Sequence, residues 1–371
     1  MVSESARPVH ELPLDAGVVA LTAAMVDIAS VSGEEWMLAD AIERSVSIHA
    51  PHLEVLRDGD AIVARTNLGR AHRVVIAGHI DTVPVNNNLP SRLQGDLTTG
   101  ILHGRGTVDM KGGCAVMLAL AVQLDAPVYD VTWVWYDHEE VEASLNGLGR
   151  LARTRPELLE ADFAILGEPS NAGIEGGCNG TLRVELAAAG RRAHSARAWM
   201  GVNAIHAVAP ALDLLARFEP ATVEVDGLAY RESLNAVGVR GGVAGNVIPD
   251  EAVLTVNYRF APDKSVAQAE HYLRELFGGV APELRLTVTD ASGGARPGLD
   301  APLAQHFVAA VGATPAPKYG WTDVARFAEL GIPAVNYGPG DPSLAHTDDE
   351  RVPVEQIIAC ERGLRAWLSG E

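Results

Sequence analysis

The sequence is poor in cysteine and lacks an obvious targeting or membrane segment. Its three cysteines, Cys114, Cys178 and Cys360, lie far apart in a chain of 371 residues. This spacing argues against a disulfide framework and favours buried thiols in a reducing compartment. Acidic residues precede the short apolar stretch 18–26, so we expect neither a signal peptide nor a membrane span. Together these absences predict a cytoplasmic protein.

Basic residues are also scarce. The chain has 29 Lys and Arg against 48 Asp and Glu, which gives a formal net charge of -19. Nucleic acids and anionic membranes attract basic patches, so we expect neither as a partner. The hydrophobic fraction of 47% is sufficient for the cores of two domains. An anionic substrate would have to be bound by individual arginines.

Three predicted buried strands are each followed by side chains that could bind a metal. These side chains are His79 and Asp81, Glu139 and Glu140, and Glu168, which follow predicted strands over residues 74–77, 131–135 and 161–166. Taken singly, they also fit a packed histidine, a turn-capping aspartate or a solvated acidic helix start. Open α/β sheets collect their ligands where the strands end, so the repetition favours one shared site.

A glycine-dense loop over residues 102–113 precedes a predicted apolar helix over residues 114–124. The Walker spacing is absent, and Asp109 would repel a phosphate, which disfavours a phosphate-binding loop. We instead expect the glycines to let the backbone approach a site closely and so to place Asp109 in that site. A second turn-rich loop, residues 338–350, carries one imidazole, His346.

The side chains in this set favour a particular class of metal site. Histidines and carboxylates without a cysteine ligand suit Zn²⁺, Co²⁺ or Mn²⁺ in a catalytic site. Two metals need a shared carboxylate, for which Asp109 is the natural choice. One of the paired glutamates could bind metal while the other moves protons.

Beyond Cys178 the pattern changes to the period-two alternation of a half-exposed antiparallel strand. Further strands are predicted over residues 234–240 and 252–260, with helices over about 202–218 and 266–277. This order predicts an α+β sandwich with a helix pair on one sheet face and the other face free for a partner subunit.

Six segments, in order, resemble the dinuclear zinc amidohydrolases, a family of aminoacylase-like and carboxypeptidase-like metallohydrolases. The segments are residues 79–84, 104–112, 139–140, 167–169, 194–196 and 345–347, and the resemblance spans about residues 14–368.

The resemblance implies a role for each residue of the site. It implies two Zn²⁺ per subunit, with Co²⁺ or Mn²⁺ as substitutes. The implied roles are Asp109 as the bridging ligand, His79 and Glu168 completing one metal site, Glu140 and His346 completing the other, Asp81 orienting His79, and Glu139 as the general base.

The resemblance also implies a fold and an assembly. We expect an α/β catalytic domain with a mixed sheet flanked by helices, formed by residues 1–178 and 289–371. An inserted α+β sandwich, residues 179–288, would serve as a dimerisation or lid domain. In a homodimer, His194 would act across the interface on the transition state of the neighbouring site.

Residues 136–150 and 318–327 are most similar to the actinobacterial desuccinylases of this family and depart from the proteobacterial pattern. The implied reaction is hydrolysis of N-succinyl-L,L-2,6-diaminopimelate to succinate and L,L-2,6-diaminopimelate in lysine biosynthesis. Arg259 would bind a substrate carboxylate, with Asn246 and Thr322 as polar contacts.

Two other classes of function stay open. One is another deacylase or peptidase, such as an acetylornithine deacetylase-like enzyme, a metallo-dipeptidase or a carboxypeptidase. The other is a noncatalytic relative, against which the intact ligand set argues. His103 and His138 neighbour the site segments but match no ligand position, so we expect them to be structural.

Overall fold

The computed structural model describes residues 10–370. Its strands are β1 (Glu54–Asp58), β2 (Ala61–Arg65), β3 (Arg73–His79), β4 (Arg92–Gln94), β5 (Ile101–His103), β6 (Asp130–Tyr136), β7 (Phe163–Leu166), β8 (Glu175–Gly176), β9 (Gly180–Ala189), β10 (Ala193–His194), β11 (Thr222–Val225), β12 (Leu228–Arg231), β13 (Ser233–Gly241), β14 (Val247–Ile248), β15 (Glu251–Phe260), β16 (Arg285–Ser292), β17 (Ala316–Pro317), β18 (Ala334–Asn336) and β19 (Arg351–Pro353).

The α-helices alternate with these strands along much of the chain. They are α1 (Val18–Asp27), α2 (Trp36–His49), α3 (Lys111–Gln123), α4 (Gly147–Thr154), α5 (Ala204–Ala207), α6 (Ala209–Ala216), α7 (Val266–Val280), α8 (Pro302–Val311), α9 (Val324–Glu329) and α10 (Val354–Ser369). Within residues 10–370, no helix is both long enough and apolar enough to span a bilayer.

The chain packs into two compact units. Unit 1 comprises Met1–Gly176, Gly298–Ala316 and Arg326–Glu371, and unit 2 comprises Gly177–Pro297 and Pro317–Ala325. Unit 2 is therefore longer than the predicted insert 179–288, because β16 pairs with β9 and keeps the chain in the unit 2 sheet. The assignment of this insert as a dimerisation domain stays a prediction.

Unit 1 is built on an eight-stranded mixed sheet with the strand order β1-β2-β6-β3-β7-β18-β8-β17. The four central strands β6, β3, β7 and β18 are parallel to one another. The pairs β1–β2, β2–β6 and β18–β8 are antiparallel. The predicted mixed sheet flanked by helices is confirmed.

One continuous apolar core joins the unit 1 sheet to α1, α2, α3, α8 and α10. Aromatic rings hold the helices to the strands: Trp367 lies 5.9 Å from Phe163 and 5.1 Å from Phe307, measured between ring centroids. The central strands are buried along nearly their whole length. Because both faces are covered, their sequences are continuous apolar runs rather than alternating apolar and polar residues.

Unit 2 contains a four-stranded antiparallel sheet with the order β13-β15-β9-β16. Alternate residues of β9 and β15 are buried with side chains from α5, α6 and α7. Most of the intervening residues are less buried, and they include the polar residues Thr181, Arg183 and Glu185 of β9 and Thr255, Asn257 and Arg259 of β15. The predicted α+β sandwich is confirmed, since one face of the sheet carries the helices.

One detail of the predicted secondary structure was wrong. The helix expected over residues 202–218 is two short helices, α5 and α6, separated at Val208, with Pro210 in the first turn of α6. The alternative of an acidic helix start after β6 does not hold: residues 137–146 form a loop, and α4 begins only at Gly147, capped by the Asn146 side chain.

Candidate metal centre

The candidate ligands collect at one edge of the unit 1 sheet. β3 ends at His79, which lies opposite Tyr136, the last residue of β6. β7 ends at Leu166, two residues before Glu168, and also runs parallel to β3. Because parallel strands end at the same edge, the segments that follow them converge there.

Five predicted ligands form two clusters that share one carboxylate. The first cluster is His79, Asp109 and Glu168, and the second cluster is Asp109, Glu140 and His346; within each cluster the ligand atoms lie within 4.8 Å of one another.

Asp109 offers a different oxygen to each cluster. Its Oδ1 lies 3.1 Å from His79 Nε2, and its Oδ2 lies 3.2 Å from His346 Nε2. His346 Nε2 is also 3.0 Å from Glu140 Oε2, while His79 Nε2 is 4.0 Å from Glu168 Oε1. One carboxylate between two groups of ligands is the arrangement that a pair of neighbouring metal ions requires.

Asp81 connects the first cluster to the paired glutamates. Its carbonyl oxygen lies 3.0 Å from His79 Nδ1, and its carboxylate Oδ1 lies 3.5 Å from the same nitrogen. The carboxylate also accepts hydrogen bonds from the backbone N–H groups of Glu139 (2.9 Å) and Glu140 (3.0 Å) and from Ser32 Oγ (2.7 Å). A proton on His79 Nδ1 leaves the Nε2 lone pair directed at the cluster, as metal-binding histidines require.

The glycine-dense loop does surround an anion, but the anion belongs to the chain itself. Glu350 Oε1 accepts hydrogen bonds from the backbone N–H groups of Gly106 (2.9 Å), Val108 (3.0 Å) and Asp109 (3.2 Å). Its other oxygen, Oε2, accepts from Arg105 Nη1 at 2.7 Å. Sequence reasoning missed Glu350 because it stands 241 residues from Asp109.

Two glycines allow the backbone to pass close to this site. Gly106 has a φ of +87°, and a Cβ there would lie 2.9 Å from a methyl group of Thr82. At Gly113, in the first turn of α3, a Cβ would lie 2.1 Å from the carbonyl oxygen of Gly167. Glycine is therefore required where α3 passes the end of β7, next to Glu168.

The charges of the cluster favour a cation. Burial alone would lower the pKa of His79, but hydrogen bonds to Asp109 and Asp81 outweigh it and raise that pKa well above the usual value. Hydrogen bonds to Asp109 and Glu140 raise the pKa of His346 to about 10. Burial opposes ionisation of Asp109, yet both histidines hold its pKa below its usual range. Two imidazoles facing three largely buried carboxylates fit divalent cations of the zinc type.

A second buried network supports the loop that carries Glu139 and Glu140. Asp137 forms an ion pair with Arg150 (Oδ1 to Nη2, 2.8 Å) and lies 2.7 Å from His138 Nδ1. The fully buried Glu35 accepts the backbone N–H of His138 at 3.1 Å. His138 lies in this network rather than in either cluster, and His103 Nε2 lies 3.2 Å from Gln94 Oε1.

The remaining predicted site residues all belong to unit 2. His194 and Asn246 are exposed neighbours: β10 pairs with β14, and the carbonyl of Asn246 accepts the Ser195 N–H at 2.9 Å. His194 Nδ1 accepts the N–H of Ala196 at 3.1 Å. Arg259 is half-buried on β15, where its Nε donates to Asn257 Oδ1 at 3.2 Å. Thr322 is buried in the separate segment Pro317–Ala325.

Comparison with known proteins identifies the family. Residues 75–369 match the profile of peptidase family M20/M25/M40. A Mycobacterium tuberculosis protein provisionally named succinyl-diaminopimelate desuccinylase DapE is 53% identical over 97% of this chain and 100% of its own length. A succinyl-diaminopimelate desuccinylase of Corynebacterium glutamicum is 46% identical over 95% of this chain and 96% of its own length.

Solved structures share the fold at low sequence identity. A tripeptidase from Staphylococcus aureus superposes with a TM-score of 0.77 at 21% identity, covering 95% of this chain and 97% of its own. A Bacillus subtilis protein described as a dinuclear metal binding peptidase superposes with a TM-score of 0.67 at 17% identity, covering 95% and 96%. With the profile match and the two close relatives, these likenesses lead to one conclusion: the chain belongs to peptidase family M20/M25/M40.

Proposed function

We propose that the protein is a two-zinc amidohydrolase that converts N-succinyl-L,L-2,6-diaminopimelate to succinate and L,L-2,6-diaminopimelate in lysine biosynthesis. The observation that carries this proposal is the pair of clusters sharing Asp109, with the paired glutamates held beside them by Asp81. The choice of substrate is supported by the two named relatives, which match nearly the whole chain.

His79, Asp109 and Glu168 would hold one Zn²⁺, and Asp109, Glu140 and His346 the other. When bound, the metal pair supplies Lewis acidity that favours deprotonation of water and polarises the amide carbonyl. The protein's part is to hold the ligands, to orient the amide and to move one proton.

Glu139 is the proposed general base. Its backbone N–H donates to Asp81 Oδ1 at 2.9 Å, which fixes the residue next to Glu140. Its carboxylate would take a proton from the attacking water and return it to the amine nitrogen as the C–N bond breaks. The products are a carboxylate and an amine, as amide hydrolysis requires.

His194 is the proposed donor to the oxyanion of the transition state. Because Nδ1 accepts the N–H of Ala196, the proton of a neutral ring resides on Nε2, which is then free to donate. We propose that His194 acts in the site of a second subunit. Unit 2 supports such a dimer by exposing large apolar side chains, among them Trp199 at 78%, Val239 at 62% and Val243 at 65%.

Arg259 is the proposed binder of a substrate carboxylate. Across residues 10–370, no Asp or Glu forms an ion pair with it, although its side chain is half-buried on β15. A half-buried guanidinium that lacks an acidic partner favours an anionic ligand, and its planar fork matches a carboxylate. Asn246 and Thr322 would provide further polar contacts.

Amine release from three substrates tests this function. The zinc-loaded protein should cleave N-succinyl-L,L-diaminopimelate with kcat/KM of about 10⁴ M⁻¹s⁻¹ or higher, lose this activity with a chelator, and show little activity on N-acetylornithine or a dipeptide. Preference for the acetyl substrate or the dipeptide would contradict the assignment as a desuccinylase but would leave the proposed mechanism of amide hydrolysis in place. No activity on any of the three would contradict both.

A further inference from the structure

We infer that Glu350 is a positioning residue that holds together the two loops supplying the second cluster. This inference rests on the proposed two-metal centre. Two of the three residues in that cluster, Asp109 and His346, come from chain segments that Glu350 connects. The backbone N–H of Asp109 is one of three that donate to the Glu350 carboxylate. His346 lies four residues before Glu350 in the same loop.

The hydrogen bonds to Glu350 are numerous for a buried side chain. The side chain is 1% exposed and accepts three backbone N–H groups and one guanidinium N–H. Burying a carboxylate is costly unless it is paired and hydrogen-bonded, so these four bonds together make the buried position tolerable. Removing the negative charge would leave the three N–H groups with a weaker acceptor and Arg105 without its charge partner.

The backbone of Glu350 strengthens the same connection. Its carbonyl oxygen accepts the N–H of Gly104 at 3.0 Å, at the start of the Asp109 loop. The next residue, Arg351, begins β19, which pairs antiparallel with β5 just before that loop. Main chain and side chain of one residue therefore fix the Asp109 loop to the His346 loop.

His346 needs such support more than His79 does. His79 is the last residue of a buried strand, with β6 and β7 on either side. His346 lies outside any strand or helix, is 54% exposed, and has a positive φ of +64°, which is uncommon for a residue other than glycine. Such a backbone conformation persists where the surrounding contacts determine it.

The two clusters should therefore respond differently to a change at Glu350. The first cluster keeps His79 and Glu168, each placed by its own strand end. The second cluster depends on Asp109 and His346 together. We expect Glu350→Gln to weaken binding of the second metal by about 10- to 100-fold, the usual effect of losing a residue that orients ligands. Binding of the first metal, which shares Asp109 but keeps His79 and Glu168 at their strand ends, should weaken less.

Calorimetric zinc titration of the metal-free full-length protein tests the inference, with bound zinc counted independently. Wild-type protein should bind two zinc ions, and Glu350→Gln should retain one tightly bound ion and lose affinity for the other. Glu350→Asp keeps the charge and should recover part of that affinity. Thermal unfolding of each metal-free variant shows whether it is folded before titration.

Glu232→Gln is the matched control. Glu232 is also a buried carboxylate, and it accepts hydrogen bonds from Tyr258 Oη (3.0 Å), the Ala261 N–H (2.8 Å) and Lys264 Nζ (2.6 Å), all within unit 2. Its substitution should leave both zinc affinities unchanged.

The possible outcomes separate the two proposals. If the folded Glu350→Gln variant bound both zinc ions with wild-type affinity, the positioning role would be overturned and the proposed function would stand. Equal weakening at both sites would also overturn it, since that is the result of general destabilisation. A wild-type protein that binds no zinc would instead overturn the proposed function itself.

Discussion

The two units differ in how they hold their candidate functional residues. In unit 1, His79 and Asp109 are largely buried, and each is fixed by a neighbour that is itself hydrogen-bonded, Asp81 or Glu350. In unit 2, His194 and Asn246 are exposed, and only short strands and a few backbone bonds place them. The contrast fits the proposal that unit 1 is organised for metal ions in advance, whereas the unit 2 residues would be completed by substrate or a second subunit.

The largest effect should come from the proposed general base. We expect Glu139→Gln to lower kcat by about 10³- to 10⁴-fold, because an amide cannot take the proton from water. Zinc content should stay at two ions per chain, since the backbone bond to Asp81 is retained. Steady-state amine release and metal analysis measure the two quantities. Glu142→Gln, an exposed neighbour in the same loop, should behave like wild-type. Full activity in Glu139→Gln would remove this residue from the mechanism.

The next largest effect should come from unit 2 and leave the metals in place. We expect His194→Ala to lower kcat by about 10²- to 10³-fold through loss of an oxyanion donor, with zinc affinity unchanged. His206→Ala, another exposed histidine of the same unit, is the control.

Mixing two inactive variants tests whether His194 acts between subunits. In a dimer of His194→Ala with Glu139→Gln, one of the two sites regains both residues. After subunit exchange at equal concentrations, about a quarter of wild-type activity should return. If the mixture stayed inactive although mixed dimers formed, the residue would not act across an interface.

A smaller effect is expected from the residue that orients His79. Asp81→Asn keeps the size of the side chain but weakens its acceptor strength for three hydrogen bonds. We expect zinc affinity to fall by about 10- to 100-fold, measured by competition with a chromogenic chelator. Asp130→Asn is the control. Asp130 accepts the N–H groups of Leu68 and Arg70, and it lies at the start of β6, whereas the loop with Glu139 and Glu140 follows the end of β6. Equal losses of affinity in both variants would indicate general destabilisation instead.

The smallest expected effect is the number of protons released when zinc binds to the second cluster. Hydrogen bonds to Asp109 and Glu140 raise the pKa of metal-free His346 to about 10, so its ring is protonated at neutral pH. A metal must displace that proton, and zinc affinity should therefore rise with pH and level off near the pKa. Calorimetry at pH 7 in buffers of different ionisation enthalpy should report about one proton or more released on filling the second cluster. Binding without proton release would contradict the assignment of His346 as a ligand.

The parts of the site that follow strand ends could be predicted from the sequence. His79 and Glu168 each follow a short apolar run, and both lie where the sheet places them. Family and fold were predicted from the six segments and are confirmed. The contacts that orient the ligands could not be predicted in the same way. Glu350 lies 241 residues from Asp109, and Ser32 lies 49 residues from Asp81. Local patterns carry no information on such pairs.

Local patterns are also ambiguous or misleading where tertiary structure overrides them. The acidic run after β6 resembles the first turn of a helix, but Glu139 and Glu140 donate their N–H groups to Asp81 and remain in a loop. The alanine-rich stretch 202–218 has a helical composition, yet it divides into α5 and α6. In the first case the N–H groups would have no partner within the first turn of a helix either, and the buried Asp81 carboxylate satisfies them in a loop.

The central claim is that the two clusters of unit 1 form a hydrolytic two-metal centre. Its most direct test is to add zinc stepwise to metal-free protein while measuring bound zinc and amine release from N-succinyl-L,L-diaminopimelate in the same samples. We predict no activity without metal and full activity when two zinc ions are bound per chain. Full turnover by protein shown to contain no metal would contradict the account.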